Sequence, residues 1–224
     1  MAFKDRSDAG RKLAAALAHY KSRRPAVLAL PRGGVVVAAE VAAALAAPLD
    51  LILVRKIGVP FQPELAMGAV VDGAAPLVVR NDDVIRLAEI EELDFNAVCE
   101  RELAEIERRR QRYLGDRERI DVAGRTAIVV DDGIATGATT RAALRATRLR
   151  HPERLVLAVP VAPTESLAAM REEADEVVCL EDYADFGAIG FYYSDFRQVS
   201  DEEVVELLHR FPARANGPAP QPAA

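Results

Sequence analysis

The chain has no tryptophan, and its five tyrosines and seven phenylalanines are only 5% of its 224 residues. That excludes a core built from large flat rings. The apolar weight falls on Ala, Val and Leu, which suits tight packing of helices on a sheet. Cysteine is almost absent. Cys99 and Cys179 have no CxxC partner and no metal-ligand spacing, so they read as reduced structural thiols and not as a disulfide framework. No apolar run approaches the roughly 20 residues needed to span a bilayer. Met1–Arg6 lacks the basic-then-apolar layout of a secretory signal. Together these predict a cytoplasmic protein with no membrane partner. A basic surplus is also missing, since 29 basic residues face 35 acidic ones for a net charge of −6. This argues against a nucleic-acid partner. The one basic run, Arg108-Arg109-Arg110-Gln111-Arg112, follows an acidic stretch and reads as a solvated helix end in preference to an RNA patch.

What is present is an ordinary globular composition, half hydrophobic and 29% charged, which excludes wholesale disorder. The length suits one α/β domain with a small accessory element. Continuous apolar runs of strand length stand at Ala26–Leu30, Leu49–Val54, Thr126–Val130, Leu155–Val159 and Glu176–Leu180. Helical patterns separate them. Asp8 would cap a first helix through Leu13, Leu17 and Tyr20, and others run over Val35–Ala46, Ala138–Arg150 and Ser166–Glu173. Strands apolar on both faces, alternating with helices, predict a Rossmann-like parallel sheet covered on both sides.

Two segments break the alternation. The first begins as a loop at Arg55–Glu64 and continues as a hairpin (Leu65–Val71, Leu77–Val79). A long charged helix over Asp82–Tyr113 follows, striped by Leu87, Ile90, Leu93, Leu103 and Ile106. The second, Asp182–Ser200, is aromatic and irregular. Residues 212–224 are Ala/Pro-rich and predict a disordered tail. The expected organisation is a single domain over 1–211, with an insertion at about 55–115.

The informative string is Ile128-Val129-Val130-Asp131-Asp132-Gly133-Ile134-Ala135-Thr136-Gly137-Ala138-Thr139. An apolar strand delivers two adjacent carboxylates, then a short Gly/Thr loop enters a helix. Backbone N–H groups at such an entry bind anions, helped by the helix dipole. Thr136, Thr139 and Thr140 add hydroxyl donors, and Gly137 lets the backbone approach closely. Asp131 and Asp132 suit the vicinal hydroxyls of a ribose, because ionised carboxylates only accept hydrogen bonds. They also suit Mg²⁺ shared with phosphate oxygens. Neither G-x-G-x-x-G nor a Walker A loop occurs.

This string resembles the PRPP-binding motif of type I phosphoribosyltransferases, and is most similar to its adenine-type version. Leu30-Pro31-Arg32-Gly33-Gly34-Val35 is placed like the family's pyrophosphate loop. Leu53-Val54-Arg55-Lys56-Ile57-Gly58-Val59-Pro60 is similar to the strand end and start of the flexible loop. The three motifs span about residues 26–160.

The resemblance implies the type I phosphoribosyltransferase fold with a small C-terminal hood at about 181–200. It implies PRPP and Mg²⁺ as ligands, and often a homodimer. It also implies a cis non-prolyl peptide in the pyrophosphate loop. Ala135, Thr136, Gly137, Ala138 and Thr139 would take the 5-phosphate. Asp131 and Asp132 would hold the ribose and, directly or indirectly, the metal. Arg32, Gly33, Gly34, Arg55 and Lys56 would receive the leaving pyrophosphate, where charge grows as the glycosidic bond breaks.

Glu64 could serve the reacting centre as a base or cation stabiliser, or equally belong to a surface turn. Phe186, Phe191 and Tyr192 of the hood could stack on a planar acceptor, or anchor the segment to the core. The family's 6-oxopurine branch carries Asp where Ala135 stands here, so hypoxanthine and guanine are disfavoured. The expected reaction transfers ribose 5-phosphate to a nitrogenous base or amine. The alternative is a non-catalytic PRPP sensor, and a third possibility is an enzyme acting on another phosphorylated ribose.

Overall fold

A computed structural model describes residues 2–73 and 76–211. The tail expected at 212–224 lies outside the described residues. In chain order the elements are α1 (Arg6–Ala16), β1 (Ala26–Ala29), α2 (Gly33–Leu45), β2 (Leu49–Leu51), β3 (Val54–Val59), β4 (Gln62–Val71), β5 (Leu77–Arg80), α3 (Asp82–Leu87) and α4 (Glu92–Leu114). There follow β6 (Thr126–Val130), α5 (Ala138–Arg148), β7 (Arg154–Pro163), α6 (Thr164–Arg171), β8 (Glu176–Tyr183) and α7 (Asp201–His209).

Five strands form a parallel sheet in the order β2-β1-β6-β7-β8. Every residue of β1 and β6 is buried, as their unbroken apolar runs require when helices cover both faces. Alternate residues feed two cores. Val27, Ala29, Ile128 and Val130 pack with α1, α2, α4 and α7, whereas Ala26, Leu28, Ala127 and Val129 pack with α5 and α6. From β1 the chain winds outward to β2, and from β6 it winds the opposite way to β7 and β8. The winding reverses between β1 and β6, and such a switch point opens a crevice at the strands' carboxyl ends.

Several expectations are corrected. Arg55–Glu64 is not a loop: β3 and β4 form an antiparallel hairpin with its tip at Pro60–Phe61, and β5 completes a second sheet in the order β3-β4-β5. The run Leu49–Val54 is divided, because the chain leaves the parallel sheet after Leu51 and enters the second sheet at Val54. The long helix is two helices. Glu89 adopts a left-handed conformation (φ 51°) between α3 and α4. Arg80 fastens this corner, donating to both Glu92 oxygens at 2.8 and 2.9 Å and lying 4.2 Å from the Phe95 ring centre.

The apolar stripe of α4 is also phased differently. Leu87 and Leu93 are exposed, and the buried face runs through Phe95, Val98, Cys99, Glu102 and Ile106. Asp5, not Asp8, caps α1, its Oδ1 accepting the Asp8 N–H at 2.7 Å. The helix ends at Ala16, ahead of a 3₁₀ turn over Ala18–Arg23. Both cysteines are free. Among the described residues no helix is long and apolar enough to cross a membrane.

Candidate functional site

The loops after β1 and β6 meet at the switch point. Leu30 N–H donates to Val130 O at 3.0 Å, carrying the strand pairing one residue past β1. The Pro31–Arg32 peptide is cis. Gly33 and Gly34 then open α2. Their lack of a Cβ is dictated by the neighbouring loop. A Cβ on Gly33 would overlap Asp132 Oδ2 and stand 2.8 Å from Arg6 Nε, and one on Gly34 would stand 2.9 Å from Asp131 Cα. These two glycines let the loops touch.

The two acids differ. Asp131 is half-buried and accepts the Asp132 N–H at 2.8 Å. Desolvation, together with the neighbouring Asp132 carboxylate, holds its pKa well above the ordinary carboxylate range. Asp132 is buried, and its Oδ2 accepts from Arg6 Nε at 2.6 Å. Its backbone carbonyl accepts the Tyr193 hydroxyl at 2.6 Å, so the hood is fastened to the motif.

Beyond the acids, Ile134 N–H donates to Val161 O at 2.9 Å, and Ala135 O accepts the Ser166 hydroxyl at 2.9 Å. Gly137 caps α5 in a left-handed conformation (φ 77°), and a Cβ there would stand 3.1 Å from Met170 Cε. Ala135, Thr136, Ala138 and Thr139 are exposed, while Gly137 and Thr140 are buried. The hydroxyls of Thr136 and Thr139 have no hydrogen-bond partner among the described residues. They are thus available beside the first-turn amides of α5, an anion-binding arrangement.

The expected cations are each matched by an acid. Arg32 lies 3.6 Å from Asp201, which also accepts the Tyr113 hydroxyl at 2.6 Å. Burial and this carboxylate push the Tyr113 hydroxyl up to about 12. Arg55 donates through Nε to Glu102 Oε2 at 2.9 Å, and one of its terminal nitrogens lies 2.8 Å from the same oxygen. Lys56 donates to the carboxylate and carbonyl of exposed Glu64, each at 3.1 Å. The structure therefore brings Gly33, Gly34, Asp131 and Asp132 into one contact. It holds Arg32, Arg55 and Lys56 apart from that contact, in ion pairs with Asp201, Glu102 and Glu64.

In the hood, Phe186 and Tyr183 both stack on Tyr192, with ring centres at 4.9 and 4.5 Å. Phe191 is exposed. Ile189 packs over Gly133, where a Cβ would meet its methyl at 2.7 Å.

A sequence profile of the phosphoribosyl transferase domain matches residues 4–195. The chain belongs to the phosphoribosyl transferase domain family. Two Mycobacterium tuberculosis proteins, from strains CDC 1551 and H37Rv, carry provisional names as phosphoribosyl transferases and are each 50% identical over 208 residues. The alignment covers 93% of this chain and 46% of theirs, so the chain spans about half the length of the curated relatives it matches. The crystal structure of TT1426 from Thermus thermophilus is 42% identical, covers 95% of this chain and 100% of that one, and superposes with a TM-score of 0.81.

Within this phosphoribosyl transferase domain, four residues beside the motifs lie outside what the sequence motifs indicate: Arg6, Glu102, Tyr193 and Asp201. Two leave a signal. Arg6 continues the buried face of α1 that runs through Ala9, Gly10, Leu13 and Ala14, and Glu102 stands on the buried face of α4. A charge on a helix's core stripe needs a buried partner. Asp201 opens α7, whose start is marked in the sequence by the Ser200-x-x-Glu203 capping box. Tyr193 has no local signal.

Proposed function

We propose that this domain transfers ribose 5-phosphate from PRPP, with Mg²⁺, to a nitrogenous base or amine, releasing pyrophosphate. The observation that carries the reading is the meeting of the Pro31–Gly34 and Asp131–Thr139 loops at the switch point. One loop supplies an acid pair and free hydroxyls at a helix N-terminus. The other brings Gly33 and Gly34 against those acids and carries the Arg32 guanidinium, which faces Asp201.

The donor set fits Mg²⁺ held largely by its substrate. Among the described residues no group of three His, Cys, Asp or Glu side chains converges. Asp131 and Asp132 offer two carboxylates, and Mg²⁺ commonly takes one or two together with phosphate oxygens. When bound, the metal supplies charge neutralisation on the pyrophosphate.

The chain's own residues do the rest. First-turn amides of α5 and the Thr136 and Thr139 hydroxyls hold the 5-phosphate. Asp131 and Asp132 accept from the ribose hydroxyls and favour positive charge developing on the ring. Arg32, Gly33 and Gly34, with Arg55 and Lys56 from the β3–β4 hairpin, receive the leaving pyrophosphate. Taking it up requires Arg32 to exchange its 3.6 Å contact with Asp201 for phosphate oxygens. Glu64 is available at the hairpin as a proton acceptor once Lys56 turns to the phosphates. The Tyr183–Tyr192–Phe186 stack and exposed Phe191 give the hood flat apolar surface for a planar acceptor.

The test is pyrophosphate release from Mg-PRPP across a panel of purine and pyrimidine bases and simple amines. Release with at least one acceptor, lost in Asp131→Asn/Asp132→Asn, supports the reading. PRPP binding without release on any acceptor would turn the same site into that of a sensor.

A further inference from the structure

We propose that Arg6 is a positioning residue of the sugar site, fixing the Asp132 carboxylate and with it the motif's discrimination for ribose hydroxyls. This rests on the ribose role given above to the acid pair.

Arg6 reaches Asp132 across 126 positions of sequence, and the ion pair is nearly enclosed, with side chains 10% and 12% exposed. Three contacts hold the guanidinium. Nε donates to Asp132 Oδ2 at 2.6 Å, one terminal nitrogen donates to the Arg197 carbonyl at 2.8 Å, and the carbon lies 3.8 Å above the Phe196 ring centre. Gly33 leaves the space in which this pair forms, since a Cβ there would strike both partners.

An enclosed ion pair is a costly way to stabilise a fold, because desolvation offsets most of the attraction. This one stands on an otherwise apolar helix face and ends on an acid of the ligand motif. The Asp132 backbone is held independently by the Tyr193 hydroxyl. With its carbonyl tied and one carboxylate oxygen fixed, Asp132 keeps its second oxygen in one place. A planar fork can hold two partners at once, which a lysine ammonium in the same place does less well. The N-terminal helix thereby becomes part of the site, although its sequence carries no ligand motif.

The test is calorimetric binding of ribose 5-phosphate and 2-deoxyribose 5-phosphate to the full chain. A hydrogen bond to a charged group predicts that wild type favours ribose about tenfold or more. Arg6→Gln is expected to reduce that ratio to about twofold, matching Asp132→Asn, with no further loss in the double variant. A merely structural role would lower the melting temperature without changing the ratio. Should Arg6→Gln fail to fold, Arg6→Lys decides, with about a threefold fall in the ratio expected because an ammonium holds both partners less well than the planar fork.

A wild-type ratio in either folded variant, with the ratio lost in Asp132→Asn, would overturn the role of Arg6 and leave the functional reading intact. Wild-type protein that binds neither sugar phosphate would overturn both.

Discussion

Glu102 of α4 holds Arg55 of β3 across 47 positions of sequence, accepting from Nε at 2.9 Å with a terminal nitrogen 2.8 Å from the same oxygen. The insertion between the two halves of the parallel sheet is thus wired to a cation of the proposed pyrophosphate site. Glu102 is buried and Arg55 is partly exposed, so the pair is worth more than a surface ion pair and less than a fully enclosed one.

Glu102→Ala should therefore lower stability by about 1–3 kcal/mol, read as a reduced urea midpoint. It should also weaken pyrophosphate binding, because Arg55 loses the group that aims it. An unchanged midpoint and unchanged pyrophosphate affinity would show that the pair does neither.

Adjacent Asp131 and Asp132 should respond to the same substitution with opposite signs. Asp131 is desolvated beside another carboxylate, and its folded-state pKa is raised above the unfolded value. Its contribution to stability is fully present below the unfolded pKa and is lost as pH rises through the folded one. Asp131→Asn, which stays neutral, should thus be more stable than wild type at neutral pH, with the gain vanishing in acid. Asp132→Asn breaks the enclosed pair with Arg6 and should cost about 3 kcal/mol. Melting temperatures between pH 3 and 8 separate the two, and Asp131→Asn less stable than wild type at pH 7 would contradict this account.

Gly33→Ala tests the contact between the two loops. The added methyl overlaps the Asp132 carboxylate and crowds Arg6. Overpacking of this kind costs about 1–3 kcal/mol. Binding of PRPP should fall together with stability, because the displaced groups belong to the site. A variant with wild-type melting temperature and PRPP affinity would show that the loops do not meet as described.

The parallel sheet is legible in the sequence because β1, β6 and β7 are unbroken apolar runs, and only strands covered on both faces carry such runs. Asp131–Thr139 and Pro31–Gly34 are legible because their chemistry is local, with each loop carrying its own donors. What bridges the loops is not. The pairing of Arg6 with Asp132 and of Arg55 with Glu102 spans 126 and 47 positions, and single-sequence patterning holds no record of partners at that distance.

The break between α3 and α4 is hidden for a different reason. No Gly or Pro marks it, and the turn at Glu89 is held from outside by Arg80 on Glu92 and Phe95. The first part of the hairpin at Val54–Val71 looks like a loop in the sequence because Gly58, Pro60 and Pro63 resemble punctuation. They instead surround its irregular tip, where the strand register shifts on either side of Gly58.

The central claim is that Asp131–Thr139 and Pro31–Gly34 together form a PRPP site. Calorimetric titration of Mg-PRPP into wild type and Asp131→Asn/Asp132→Asn tests it most directly. The account predicts about micromolar binding in wild type and none in the double variant, with the variant's fold confirmed by circular dichroism. Absence of binding in wild type, or equal binding in a folded double variant, would contradict it.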